Sequence, residues 1–324
     1  MVRACACLAL GGGEPLGVLA WLASEVLHSA VGIWGGAMNE WAVIEPLWDA
    51  PASVRSAFTL RFGGVSLAPY DSLNLGTHVG DAPEAVRENR RRVRELLGLP
   101  GEPGWLQQVH GTCVVDVDAV AASAASATAS EAAAGASSGG PAGVPSGAAV
   151  GVAADCLAVA NGSPPEADAA VTRTPGRVCV IQVADCMPVL FAARDGTAVG
   201  AAHAGWRGLA GGVLEQTIAR LGVPAAQLVA WLGPTISQRN FEVGDDVRAA
   251  FTKNDAGAAV AFEANSRGRW QCDLYVLARR RLAALGVSDV SGGRWCTYAD
   301  SSQFFSFRRD GQCGRMAALI WMEA

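Results

Sequence analysis

The sequence contains very little lysine and very little histidine. Lys253 is the only lysine, so arginine supplies nearly all of the 25 basic residues, and the four histidines are His28, His78, His110 and His203. A P-loop, which needs Gly-Lys-Ser/Thr, is therefore excluded, as is a Schiff-base lysine at any other position. A metal or acid–base site that uses imidazole has few candidate residues.

Basic excess and long apolar runs are also missing. The 25 basic and 30 acidic residues give a net charge of −5, whereas a general nucleic-acid binder usually shows a basic surplus. No uninterrupted apolar stretch reaches the roughly 18–20 residues that a membrane-spanning helix needs. We therefore expect neither nucleic-acid nor membrane partners.

The nine cysteines form no C-x-x-C pair, and the chain is too long to be a disulfide scaffold. An odd number of cysteines in a chain of this size indicates reduced thiols and a cytoplasmic location. The familiar zinc signatures H-E-x-x-H and H-x-E…P-C-x-x-C are absent as well. Any metal site must therefore be assembled from residues that lie far apart in the sequence.

Composition divides the chain into three parts. Residues 1–38 are apolar but interrupted by acidic residues and proline, and we predict an extension that is disordered or not translated. Residues 39–324 are predicted to form a single catalytic domain. Within it, residues 119–167 are rich in Ala, Ser and Gly, which is typical of a flexible surface insertion.

Outside these two segments, strand-like and helix-like stretches alternate, which predicts an α/β (α+β) fold with a mixed β-sheet core flanked by helices. The continuous apolar run at 177–184 is typical of a strand covered on both faces. We predict a hairpin from 105–110 and 113–117. The predicted helices are one with an Asp81–Glu84 capping box that ends at Gly98, one through residues 209–221, and one capped by Asp273 that ends at Gly286.

Three polar residues stand where apolar runs end: His110 in WLQQVH, Cys186 in ADC and His203 in AAHAGWRG. One thiolate and two imidazoles suit zinc and leave a fourth position open. The residues alone leave three other interpretations open: buried packing, a cysteine nucleophile with a histidine base, and a copper site. The adjacent Met187 is poorly placed as a copper ligand, because neighbouring strand residues point to opposite faces.

Several blocks of the sequence resemble the laccase-domain family, first labelled multicopper polyphenol oxidases. They run in order from about residue 40 to 324 and include SLNLG, WLQQVHG, VADCMPVLF, AAHAGWRGL and FFSFRRDGQCGRMA, among which the SLNLG, VADC and HAGWRG blocks are distinctive. The resemblance implies a laccase-domain (YfiH-like) fold. It also implies a purine nucleoside phosphorylase that accepts adenosine, inosine, guanosine or 5′-methylthioadenosine, together with adenosine deaminase activity.

The same resemblance implies that His110, Cys186 and His203 bind a catalytic zinc ion. Asp185, beside one of these ligands, is a candidate acid–base residue. Capture of phosphate and nucleoside would use arginine forks and polar groups within the family motifs, and the candidates are Arg61, Asn74, His78 and Arg207. Trp206 is a candidate for stacking on the base, and Arg308, Arg309 and Arg315 are further candidates for binding phosphate.

Two other enzyme functions remain open. The older family label and the His₂Cys set suggest a copper-dependent polyphenol oxidase, although four histidines are too few for a multicopper centre. A cysteine amidase acting on cell-wall precursors would use Cys186 as its nucleophile. A non-enzymatic interaction module with structural zinc would need a fourth protein ligand. The expected partners are purine nucleosides and phosphate, in a monomer or homodimer.

Overall fold

Two β-sheets lie face to face at the centre of the computed structural model, which describes residues 31–32, 43–120 and 163–324. The first sheet has five strands, and each of its neighbouring pairs is antiparallel. In spatial order its strands are β1 (Val31–Gly32), β2 (Val43–Ile44), β3 (Val54–Thr59), β14 (Met316–Met322) and β6 (Val178–Val183). Strand β6 therefore lies at one edge of this sheet.

The second sheet has six strands and is mixed. In spatial order they are β13 (Asp289–Gly292), β9 (Leu228–Leu232), β7 (Met187–Ala193), β8 (Val199–Ala204), β5 (Ala169–Thr172) and β4 (Val114–Asp116). The two outer pairs are parallel and the inner pairs antiparallel. A small third sheet contains β10 (Glu242–Val243), β12 (Trp270–Cys272) and β11 (Phe262–Ala264).

Helices cover the outer faces of the two large sheets. Residues 117–120 are helical, and the other α-helices of the described residues are α1 (Pro83–Leu96), α2 (Trp206–Gly211), α3 (Val213–Leu221), α4 (Asp245–Thr252), α5 (Leu274–Leu285) and α6 (Phe307–Asp310). Short 3₁₀ helices span Ala225–Gln227, Gln238–Asn240 and Ala256–Ala261. Val93 of α1 packs on the five-stranded sheet, whereas Leu214 of α3 and Leu277 of α5 pack on the six-stranded sheet.

Strand β6 shows why the central run is apolar at nearly every position. Val178 and Val180 pack in the cluster beneath α1, whereas Cys179 and Ile181 pack between the two large sheets. Successive side chains of a strand point to opposite faces of the sheet. A strand covered on both faces therefore needs apolar residues at odd and at even positions. The predicted strand and the predicted mixed-sheet architecture are confirmed.

Three local predictions differ from the structure. Residues 105–110 form no hairpin with 113–117, because β4 instead pairs in parallel with β5. The helix expected through 209–221 is divided into α2 and α3 by Gly212, whose φ is 103°. Asp81 makes no capping box; Ala82 is the N-cap of α1, and the Asp81 carboxylate accepts hydrogen bonds from Ser66 and Asn74 instead.

The helix capped by Asp273 is confirmed. The carboxylate of Asp273 accepts a hydrogen bond from the backbone N–H of Val276, and α5 ends at Gly286 in the left-handed conformation. This is how a short polar N-cap and a C-terminal glycine satisfy the free backbone groups of a helix.

The predicted extension at residues 1–38 and the predicted insertion at 119–167 lie largely outside the described residues. Within the described part of the chain, no helix has the length and apolarity needed to cross a membrane. The expectation of reduced thiols holds for Cys179, Cys186, Cys272, Cys296 and Cys313. It is wrong for Cys113, which is disulfide-bonded.

Candidate metal centre

His110, Cys186 and His203 come together although 76 and 17 residues separate them along the chain. Cys186 lies in the turn between β6 and β7, and His203 is the penultimate residue of β8. His110 lies in an irregular segment that precedes β4. Strand β7 pairs directly with β8, and Pro188 lies opposite His203. The pairing therefore brings the Cys186 thiol and the His203 imidazole to the same end of these two strands.

The three side chains have the geometry of a shared metal site. One ligand atom from each lies within 4.8 Å of the others, and Cys186 Sγ is 3.7 Å from His110 Nε2. Zinc bonds of about 2.3 Å to sulfur and about 2.0–2.1 Å to nitrogen, at a tetrahedral angle, would place these two atoms about 3.6 Å apart. The donor set and its spacing therefore fit zinc. Within the described residues this is also the one such cluster of His, Cys, Asp or Glu.

Asp168 holds both histidines in place. Its fully buried carboxylate accepts a 2.8 Å hydrogen bond from His203 Nδ1, which leaves Nε2 as the metal-binding nitrogen. It also accepts backbone N–H groups of Val109, His110 and Gly111. A carboxylate behind a ligating imidazole fixes the tautomer and orientation of the ring, and Asp168 does this while holding the loop that carries the other histidine.

The electrostatics of the cluster favour a thiolate. Burial alone would raise the pKa of the Cys186 thiol, but the charge of His203 and the hydrogen bond with His110 outweigh burial and lower it. Burial likewise acts to lower the pKa of His203, whereas the neighbouring thiolate and Asp168 raise it. A thiolate is both the form that binds metals and the form that acts as a nucleophile.

Two residues at the cluster have an unusual backbone conformation, and one glycine packs closely against it. His110 and Asp185 have φ values of 63° and 86°, and no other non-glycine residue among those described has a positive φ. Such conformations persist where the surroundings hold them, commonly at functional sites. A Cβ at Gly205 would lie only 2.9 Å from Cys186 Sγ and 3.2 Å from His110 Cδ2, so glycine is required there.

The cluster opens into a cavity of about 360 Å³, which is in the range of small-molecule sites. Its walls include the predicted residues His78, Asp185, Trp206 and Arg207. They also include residues to which the sequence assigned no role, namely Gln108, Gln182, Ile236, Phe241, Leu274 and Phe307. Six of the eight predicted site residues thus line one cavity, namely His78, His110, Asp185, Cys186, His203 and Arg207.

Arginine dominates the charge of the cavity wall. Arg207, Arg308 and Arg315 line it, and none of their guanidinium groups forms an ion pair with a described carboxylate. Arg308 donates to the backbone oxygen of Glu242 and Arg315 to that of Cys313, which leaves further N–H groups on each. Unpaired guanidinium groups converging on a cavity are suited to binding a phosphate or carboxylate.

Arg61 and Asn74, predicted to bind substrate, do not line this cavity. The guanidinium of Arg61 donates to the backbone oxygens of Asp71 and Ser301. Asn74 is fully buried, and its Oδ1 accepts hydrogen bonds from the backbone N–H groups of Gly76 and Arg315. Both residues therefore hold loops in place through hydrogen bonds to the backbone. Asn74 in this way fixes the backbone of Arg315, which lines the cavity.

Asp185 lies in the cavity wall, but both of its carboxylate oxygens are already engaged. Oδ1 accepts a 2.6 Å hydrogen bond from the Thr297 hydroxyl, and Oδ2 accepts one of 2.6 Å from the backbone N–H of Arg308. The predicted acid–base residue therefore holds the start of α6 against the β6–β7 turn. His78 also lines the cavity, where desolvation and the charges of Arg315 and Arg90 lower its pKa, which favours a neutral imidazole.

Sequence reasoning missed Asp168 and Gln182. Asp168 immediately precedes the buried strand β5, and a lone carboxylate at the start of an apolar run was a signal that could have revealed it. Gln182 interrupts the otherwise apolar strand β6. A polar residue in such a strand must find a partner or face a cavity.

Known proteins resemble this chain over most of its length. The Pseudomonas aeruginosa protein named purine nucleoside phosphorylase PA4543 is 46% identical over 287 residues, 88% of this chain and 100% of that protein. The Escherichia coli protein named purine nucleoside phosphorylase YfiH is 43% identical over 280 residues, 86% of this chain and 98% of that protein.

Solved structures share the fold. The crystal structure of Neisseria meningitidis protein NMB0706 has a TM-score of 0.71 and 46% identity, and the match covers 87% of this chain and 99% of that one. YlmD from Geobacillus stearothermophilus has a TM-score of 0.68 and 28% identity, with 90% and 98% covered. The family model described as multi-copper polyphenol oxidoreductase laccase matches residues 55–323. The resemblance inferred from the motifs is thereby confirmed, and the chain belongs to the multi-copper polyphenol oxidoreductase laccase family.

Proposed function

We propose that this chain is a zinc-dependent purine nucleoside phosphorylase that also deaminates adenosine. The observation that carries the proposal is that the His110–Cys186–His203 cluster and the arginines Arg207 and Arg308 open into one cavity. A metal-ligand set beside an unpaired cationic wall suits a reaction between an anion and a neutral organic substrate. The names of the relatives from Pseudomonas aeruginosa and Escherichia coli support the same substrate class.

Phosphate would bind at the cationic wall. The guanidinium of Arg207 lies 4.5 Å from the Trp206 ring, and that of Arg308 lies 5.2 Å from the Phe241 ring. Each ring restricts the arginine without neutralising it. Asp185, which holds the backbone of Arg308, acts as a positioning residue for this wall.

In phosphorolysis, a phosphate oxygen forms a bond to C1′ of the ribose while the bond between C1′ and the base nitrogen breaks. The electron pair of that bond leaves with the base, which takes up the proton that the attacking hydrogen phosphate gives up, and the ribose passes through a cationic, oxocarbenium-like state. The arginines hold the phosphate next to C1′, where its negative charge also stabilises that cation. A zinc ion held by His110, Cys186 and His203 would supply Lewis-acid stabilisation of developing negative charge.

The remaining walls suit a nucleoside. Trp206, Phe241 and Phe307 offer aromatic faces for the base or ribose. The neutral imidazole of His78 can donate to or accept from a ribose hydroxyl. We propose adenosine, inosine, guanosine and 5′-methylthioadenosine as substrates. Five of the six cysteines among the described residues are free and Cys113 is disulfide-bonded; we propose the cytoplasm as the place of this reaction.

A product assay tests the proposal. Purified protein receives adenosine, inosine or 5′-methylthioadenosine, each with and without phosphate. We expect phosphate-dependent release of the free base. With adenosine, adenine reports phosphorolysis, inosine reports deamination, and hypoxanthine reports both reactions. Absence of free base from every nucleoside in the presence of phosphate would overturn the proposal.

A cysteine amidase is the second candidate, because Cys186 Sγ and His110 Nε2 lie 3.7 Å apart, the arrangement of a nucleophile and its base. It predicts turnover of amide substrates that survives chelation and stops on alkylation of Cys186. A copper oxidase is less well supported, since Met187 packs in the core beneath the helices and not in the cavity. Metal analysis that finds copper in place of zinc would favour it.

Replacing Arg207 with glutamine should lower kcat/KM for phosphate by about 10- to 100-fold, because a charge-assisted hydrogen bond of about 1.5–3 kcal/mol is lost. Deamination of adenosine, which needs no phosphate, should change little. Steady-state kinetics at varied phosphate measures the effect. Arg239→Gln is the matched control, since Arg239 is exposed and does not line the cavity. Equal losses in both reactions would contradict the assignment.

A further inference from the structure

Gln182 has a buried side-chain amide oxygen with no hydrogen-bond partner among the described residues. The residue is only 5% exposed, and its Oε1 has no hydrogen-bond partner within the described part of the chain. The residue nevertheless lines the same cavity as the metal-ligand cluster. Buried polar groups are almost always hydrogen-bonded, and one left unpaired costs about 1–3 kcal/mol. An amide at this position is thus explained by a ligand that enters the cavity.

The backbone of Gln182 is held independently of its side chain. At this edge of the sheet, Gln108 Nε2 donates to the Gln182 backbone oxygen, and Gln108 Oε1 accepts the Gln182 backbone N–H, both at 2.8 Å. On its other side β6 pairs with β14, where Ala317 lies opposite Gln182. The strand therefore does not need the Gln182 amide, while the clamp by Gln108 fixes the point from which that amide projects.

A side-chain amide presents an acceptor oxygen and a donor N–H side by side in one plane. A planar ligand edge with the complementary pair satisfies both atoms at once. The edge of a purine that contains N1 and the substituent on C6 is such a pair. In a 6-aminopurine the amino group donates and N1 accepts, whereas in a 6-oxopurine the oxygen accepts and N1–H donates.

We propose that Gln182 is a specificity-determining residue that hydrogen-bonds the N1–C6 edge of a purine base; this inference rests on the proposed function. Rotation of the terminal amide by 180° exchanges its donor and acceptor, so Gln182 pairs equally with 6-amino and 6-oxo bases. The site therefore accepts both classes of purine. It discriminates against bases that lack the C6 substituent, because one buried atom of the amide then stays unpaired.

Gln182→Met tests this assignment, because methionine keeps the length of the side chain and removes both polar atoms. We expect kcat/KM for adenosine, inosine and 5′-methylthioadenosine to fall by about 10- to 100-fold. The fall should be smaller for purine riboside, which lacks the C6 substituent. Adenine and hypoxanthine should also bind more weakly in calorimetric titrations, which do not depend on turnover. The melting temperature should stay the same or rise.

Gln216→Met is the matched control, since Gln216 is exposed on α3 outside this cavity, and it should change none of these values. Equal loss for all four nucleosides, or no loss for any of them, would overturn the assignment to the base edge. A fall in melting temperature with unchanged base preference would make Gln182 a structural residue. These outcomes all require an active wild type, so failure of the proposed function, with no base released by wild type, is recognised separately.

Discussion

Replacing Cys186 with alanine should reduce kcat by on the order of 10³-fold or more. The thiolate is one of only three ligands in the cluster, and loss of Lewis-acid stabilisation worth several kcal/mol corresponds to a factor of this size. The variant should also lose bound zinc, which metal analysis would measure as a fall from about one ion per chain. Activity and metal content should therefore decline together.

The control for this experiment is Cys296→Ala. Cys296 is also a free, half-buried cysteine, and its Sγ accepts backbone N–H groups of Ser237 and Ala299, but it does not line the cavity. This variant should retain zinc and turnover. Chelation of the wild type should abolish activity, and added zinc should restore it. Activity that persists in metal-free wild type would instead support Cys186 as a nucleophile.

Replacing Asp168 with asparagine should impair both stability and metal binding. The carboxylate accepts hydrogen bonds from three backbone N–H groups and from His203, and an amide NH₂ would face some of these donors. We expect a loss of about 2–4 kcal/mol in the free energy of unfolding. Zinc affinity should fall by about 10- to 100-fold, because the orientation of His203 is no longer held. Thermal melts and metal titration measure the two effects.

Asp118→Asn provides the comparison. Asp118 also accepts a hydroxyl and a backbone N–H, from Thr172 and Arg173, but it does not line the cavity. It should lose stability without losing zinc affinity. If Asp168→Asn behaved in the same way, Asp168 would be a structural residue of the 109–111 loop and would have no part in orienting the metal ligands.

Local pattern was sufficient for much of the architecture. The apolar run of β6 and the Asp273 cap of α5 were recognisable because their signals depend on neighbouring residues alone. The prediction of a hairpin at 105–117 was wrong because the backbone hydrogen bonds of β4 are made in parallel pairing with β5, a strand that is distant in sequence. The prediction of one continuous helix at 209–221 was wrong. The helical spacing of apolar residues continues across Gly212, but the backbone turns at this glycine and divides the segment into two helices.

The candidate site shows the same division. The sequence by itself determined the chemical types available, since four histidines and one lysine leave few choices, and the motif blocks singled out His110, Cys186 and His203. Only the tertiary structure decided which polar residues line the cavity. It brought the Asp168 carboxylate to the His203 ring, placed Gln182 in the cavity wall and placed Arg61 among backbone carbonyls. The physical reason is that a hydrogen-bonding partner is chosen by proximity in three dimensions, and sheet pairing between distant segments creates that proximity.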